Sequence, residues 1–235
     1  MIKIIMALVA LMLASRSFAE MPTNAVQGVN SIANLIRCLD DHDPGHSKET
    51  LAISRQFQTP LVGWSPTPSD AARDGLVKIG STAVPSLVDV LSDTKHDHRT
   101  RLHAAQALVQ LRDERAQAAF VTGSTSTNLA LAMICCQALL GTPDKDKAID
   151  RLLELVADSN LNTDDLRQVV DQLVSAKESR AVPLMITTMQ KTSAVPTEDS
   201  TKRMATYGWG LDHLTGQAFG SKPELWVKWL HETRK

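Results

Sequence analysis

Large apolar side chains in the middle of this chain stand at fixed distances from a recurring alanine. The alanines begin Ala83-Val84-Pro85, Ala116-Gln117-Ala118, Ala148-Ile149-Asp150 and Ala181-Val182-Pro183, at spacings of 33, 32 and 33 residues. Four residues after each comes Leu87, Phe120, Leu152 or Met185, and five after comes Val88, Val121, Leu153 or Ile186. A constant period of this length marks an array of small helical units, each burying its apolar face against the next. The helical spacing of apolar residues predicts two helices per unit: 70–79 with 84–91, 97–111 with a helix from about 115, 128–140 with 147–157, and 163–175 with 180–191. Punctuation residues agree. Gly80 is a helix stop, Pro85 occupies a first turn where no N–H is lost, and Gly141-Thr142-Pro143 separates the third pair. Thr163, followed by Asp164 and Asp165, reads as an N-cap with an acidic first turn.

The ends depart from the period. Residues 24–40 carry an apolar stripe through Val26, Val29, Ile32, Ala33, Leu35 and Ile36 and predict one helix. Residues 41–68 read mainly as loop, with a short helix at 49–57. Toward the C-terminus, 197–209 and 223–232 read as helices joined by an irregular segment, 211–220. Ahead of all this, residues 1–19 read as a cleaved signal peptide: Lys3, an apolar run over 4–14, and Ser17-Phe18-Ala19 as a small-x-small cleavage site. The run is shorter than the roughly 20 apolar residues a bilayer span needs. The expected organisation is therefore a signal peptide (1–19), an N-terminal helical cap and irregular linker (20–68), four repeats (69–193) and C-terminal aromatic capping helices (194–235). The expected location is secreted or periplasmic, after cleavage near Ala19-Glu20.

The residues Arg101-Leu102-His103-Ala104-Ala105-Gln106-Ala107-Leu108 resemble the first-helix consensus of bacterial HEAT-like repeats, the kind also found in the phycobilin-lyase group. Gly80-Ser81-Thr82-Ala83-Val84-Pro85-Ser86-Leu87 resembles that family's turn and second helix. The resemblance covers about 70–191. It implies an all-α fold, a right-handed α-solenoid (superhelix) of HEAT-like helix pairs, with the second helices lining the concave face. It is specific for fold and weakly specific for function, because the family consists mainly of binding scaffolds. The tail Leu214-Thr215-Gly216-Gln217-Ala218-Phe219-Gly220, with Pro223, Trp226 and Trp229, resembles a terminal motif of many secreted bacterial HEAT-like proteins. Its aromatics suit either a recognition site or a cap over the exposed end of the array, and the cap is the favoured reading.

Charge narrows the partners. Without Lys3 and Arg16, the remaining 23 basic and 26 acidic residues give a net charge of −3. No basic excess is present to draw in phosphate backbones, so nucleic acid is not expected as a partner. No segment after the signal peptide is expected to cross a membrane. The three cysteines are an odd number for an oxidising compartment. Register places Cys136 beside Ala104 and Val169, in the interior, and Cys135 beside His103 and Gln168, toward solvent. Unpaired cysteines acting as small hydrophobes are the favoured reading; an intermolecular bridge through Cys135 or Cys38 is the alternative.

Candidate chemistry is sparse. His96, His98 and His103 near Asp93 and Asp97 lack the three- or four-residue spacing that aligns ligands on a helix. The loop Asp40-Asp41-His42-Asp43-Pro44-Gly45-His46 is denser, and a loop can fold its ligands together. It reads alternatively as an acidic helix end followed by a turn. No nucleophile elbow, phosphate loop or dinucleotide fingerprint occurs. No enzyme activity, cofactor or metal is expected. What remains is surface. The position six after each marker alanine should face outward, and it reads Asp89, Thr122, Glu154 and Thr187; Asp150, Asp93 and Asp158 lie nearby, against Arg151 and Lys191. This mildly acidic column (Asp89, Thr122, Asp150, Glu154, Thr187) is the expected partner-binding site. The expected function is a non-catalytic extracytoplasmic scaffold for a protein or peptide partner, one bearing Lys or Arg. The alternatives are an immunity or inhibitor protein for one enzyme and, more remotely, a metal-dependent enzyme.

Overall fold

The computed structural model describes residues 32–40 and 67–233. The expectations for the signal peptide, for 20–31 and for 41–66, including all of the Asp40–His46 loop except Asp40, lie outside the described residues. Every regular element among the described residues is a helix. In chain order they are α1 (Ile32–Cys38), α2 (Pro68–Ile79), α3 (Val84–Ser92), α4 (His98–Leu111), α5 (Gln117–Ser124), α6 (Leu129–Leu139), α7 (Lys145–Val156), α8 (Thr163–Ser175), α9 (Ala181–Ser193), α10 (Glu198–Thr215) and α11 (Pro223–Thr233).

Local chemistry sets the boundaries. Thr67 and Asp70 form a reciprocal capping box at the start of α2, and Gly80 ends that helix at φ +83°. Such a backbone conformation costs glycine least. A short 3-10 turn (Gly80–Ala83) leads into α3 with Pro85 in its first turn. Asp97 caps α4 by accepting from Thr100 N at 2.8 Å, and Asn128 caps α6 by accepting from Leu131 N at 3.1 Å. A second 3-10 turn, Glu114–Ala116, precedes α5, so the α-helix starts two residues later than expected. The cap of α8 is Asn162, not Thr163: the Asn162 side chain accepts from Asp165 N at 2.9 Å. α10 does not stop near Trp209. It continues to Thr215 and ends at Gly216, φ +73°.

Successive helices pack as pairs, and alternate helices also touch. α2 lies on α4, α4 on α6, and α8 on α10, while the Gln172 side chain in α8 donates to the Met133 carbonyl in α6 at 3.2 Å. On the other side α3 touches α5, α5 touches α7, α7 touches α9, and α9 touches α11. Two rows of helices therefore share one continuous core. All four marker alanines are fully buried, as are Leu87, Leu152 and Met185, with Phe120 nearly so. The fifth position after the marker differs from expectation in three units: Val88, Val121 and Leu153 are only half-buried, whereas Ile186 is buried, and Val90, Gly123 and Leu155 at the seventh position are buried. At about 100° per residue, positions zero, one, four, seven and eight share one arc of about 120°, and position five falls outside it. Position six lies almost opposite that arc.

Within the 25-residue stretch Pro68–Ser92 an 18-residue window reaches a mean hydropathy of 1.2, long and apolar enough by composition to cross a bilayer. The sequence reading set no such segment here. Gly80 breaks the stretch into α2 and α3, and both helices pack against α4.

Candidate binding face

All five residues of the expected column are exposed, on the outer side of α3, α5, α7 and α9. Their chemical states differ. Asp150 pairs with Arg180 (Oδ1 to Nη1, 3.1 Å), and Glu154 pairs with Arg151 (Oε2 to Nη1, 2.8 Å). Thr122 donates to the Ala118 carbonyl at 3.3 Å and Thr187 to the Pro183 carbonyl at 2.8 Å, so their hydroxyl oxygens keep acceptor capacity. Asp89 alone among the column's carboxylates has no ion-pair partner among the described residues. Asp150 and Glu154 thus each have a guanidinium partner, although Arg180 is shared with Glu178, whereas Asp89 at the N-terminal end has none among the described residues. A groove of about 1020 Å³ lies there between α1 and α3, and a smaller depression of about 340 Å³ beside Thr187 is lined by Ala157, Leu184 and Lys191.

One edge of this face is held by a recurring clasp just before the marker alanine. Asp113 accepts from Arg115 through the backbone N (3.0 Å), Nε (2.8 Å) and Nη2 (2.6 Å), and Arg115 Nη2 also donates to the Ser81 carbonyl of the preceding unit at 2.8 Å. Two units later Glu178 accepts from Arg180 N (2.9 Å), Nε (3.0 Å) and Nη2 (3.2 Å), and Arg180 reaches back to Asp150. Between them Gln117 donates to Asp144 at 2.5 Å, and Asp144 pairs with Lys147 at 2.8 Å. Hydrogen bonds from the Arg115 side chain, then from its backbone N–H, hold the Asp113 carboxyl down at about 2. The Arg180 side chain likewise keeps Glu178 below the usual carboxylate range.

The histidines do not converge. His96 Nδ1 lies 3.5 Å from Asp40 Oδ1, whereas His103 Nδ1 lies 3.9 Å from Asp70 Oδ1 and His98 is exposed. Among the described residues no group of three or more His, Cys, Asp or Glu side chains is placed to hold a metal. Cys136 is buried as expected, but Cys135 is buried too, which corrects its placement toward solvent. Its sulfur fills the space left by Gly123, where a Cβ would overlap it. Burial pushes the Cys135 thiol up to about 12 and the Cys136 thiol to about 11. None of the three cysteines is joined in a disulfide among the described residues.

The aromatic tail packs against α9. Trp226 is fully buried, its Nε1 donates to the Gly220 carbonyl at 2.7 Å, and Phe219 meets it edge-on at 4.9 Å. Asp212 Oδ1 accepts from the backbone N of both Phe219 and Gly220 at 3.1 Å. Trp209 differs: it is half-exposed, with the Arg167 guanidinium 3.9 Å above its ring and His213 4.3 Å away. Two buried arginines escaped the sequence reading. Arg101 donates through Nε to the Leu91 carbonyl at 2.9 Å. Arg203 donates to the carbonyls of Leu161 and Asp158, beside Tyr207, whose hydroxyl donates to the Val156 carbonyl at 3.1 Å. An arginine at an interior register position was the available signal in both cases.

Among known proteins, no protein-family model matches the chain and no curated protein matches it.

Proposed function

We propose that the protein is a non-catalytic scaffold that binds a protein partner along the outer side of α3, α5, α7 and α9. In this reading the paired helices form a right-handed HEAT-like solenoid, that side is its concave face, and residues 1–19 direct the chain out of the cytoplasm. The observation that carries the reading is the exposed column itself. Asp89, Thr122, Glu154 and Thr187 recur at one register over four helices, with Asp150 beside Glu154 on α7, and all five are exposed. Rows of helices that present one register to solvent suit extended, shape-based recognition of another chain. The clasps at the unit boundaries hold the face in a fixed form, which lowers the ordering cost of binding.

The test is a pull-down from extracytoplasmic extract at low and moderate salt, comparing the parent chain with an Asp89→Lys/Glu154→Lys variant. The reading predicts a partner captured by the parent and lost, or held with a weaker salt dependence, by the variant. A partner captured equally by both at every salt concentration would contradict it.

A further inference from the structure

The groove between α1 and α3 combines an apolar floor with a charged rim. Its floor is made by Ile32 and Ile36 of α1 and Val90 of α3, and its rim by Asp89, Asp93 and His96. The two aspartates are exposed, and neither has an ion-pair partner among the described residues; the Asp93 carboxylate accepts a hydrogen bond from Lys95 N at 2.9 Å. His96 is already engaged by Asp40, a third carboxylate at the same end. This contrasts with Asp150 and Glu154 farther along the face, whose charges are answered by Arg180 and Arg151.

We infer that this groove is the docking end of the binding face and that it takes a basic amphipathic helical segment of the partner. The inference rests on the scaffold reading above and specifies the chemistry of its partner. Asp89 lies in α3 and Asp93 is the residue that ends it, its backbone N donating to the Asp89 carbonyl at 2.9 Å; the two are about 6 Å apart along the axis, which matches two Lys or Arg side chains one turn apart on an opposing helix. The apolar face of such a segment covers Ile32, Ile36 and Val90, while its cations meet the unpaired carboxylates: recognition by a helix laid in a groove. An acidic or purely apolar segment would leave those carboxylates covered and unanswered, which disfavours it.

The experiment is a fluorescence anisotropy titration of the full chain with a labelled amphipathic Leu/Lys peptide, alongside a Leu/Glu peptide of the same pattern. The Leu/Lys peptide should bind and the Leu/Glu peptide should not. Asp89→Lys/Asp93→Lys should weaken binding by about tenfold or more. Ala33→Lys, at an exposed position lining the groove, should weaken it without touching the core. Asp146→Lys/Asp164→Lys makes the same change in net charge at exposed positions outside the groove and should leave affinity unchanged. Equal binding of both peptides, or an equal loss in the groove and control variants, would overturn the inference. So would a pulled-down partner that cross-links to Thr122 and Thr187 and is untouched by Asp93→Lys and Ala33→Lys. That last result would leave the scaffold reading standing.

Discussion

Single positions in this protein divide into those that fill the core and those that let two backbones meet. Leu108 is a filler, fully buried between the rows. Leu108→Ala should lower stability by about 2–5 kcal/mol through the cavity it leaves; a chemical denaturation midpoint measures this directly. Gly208 allows a meeting: a Cβ there would overlap the Gly220 carbonyl group, which cannot move aside as a flexible side chain could. Gly208→Ala should therefore displace the 219–226 segment. It is expected to cost about 1–3 kcal/mol and to raise the exposure of Trp226, read as a red shift in tryptophan emission. Burial also makes a chemical prediction. With the Cys135 thiol pushed up to about 12, an alkylating reagent at mildly alkaline pH should leave it unmodified in the folded chain and label it rapidly after denaturation. The sequence placed Cys135 outside because its register partners, His103 and Gln168, are polar. What decides its burial is Gly123 of the preceding helix α5, whose missing side chain makes room for the sulfur, a glycine found at that register in this unit alone. The marker alanines were legible because every unit needs a small residue at the same helix crossing.

Helices and their junctions are the next scale. Their existence could be read from apolar periodicity, but their ends turned on choices that one sequence leaves balanced. Asn162 and Thr163 are both competent caps, and only the backbone path shows that Asn162 takes the role. Gly208 and Gly210 weaken a helical reading of 205–215, yet close contacts with Gly220 and Val170 are what require glycine there. The clasps were not foreseen, since an acid two residues before an arginine is unremarkable until the arginine reaches the preceding unit. They carry a pH dependence. An unfolded aspartate titrates near ~3.9, whereas Asp113 is held at about 2 by Arg115. The folded state thus takes up this proton less readily. The clasp's contribution is present above the unfolded value and disappears as pH falls from about 4 toward about 2. Asp113→Asn should flatten that part of the acid limb in a stability-versus-pH curve. An unchanged limb would show that Asp113 does not report on the fold.

At the scale of the molecule, each helix in the two rows packs mainly against its near neighbours in the chain. The outward register was legible from the sequence, and so was the Arg151–Glu154 pair three residues apart within α7; the answer to Asp150 was not, because Arg180 reaches it only once the helices are side by side. The central claim is that the outer side of α3, α5, α7 and α9 is where a partner binds. Site-specific photo-cross-linking tests it most directly, with the cross-linker placed at Thr122 or Thr187 on that side and at the exposed Gln110 or Gln168 on α4 and α8. The account predicts a discrete covalent adduct with a protein of the extracytoplasmic extract from Thr122 and Thr187, and none from Gln110 and Gln168. Adducts confined to Gln110 and Gln168 would contradict it.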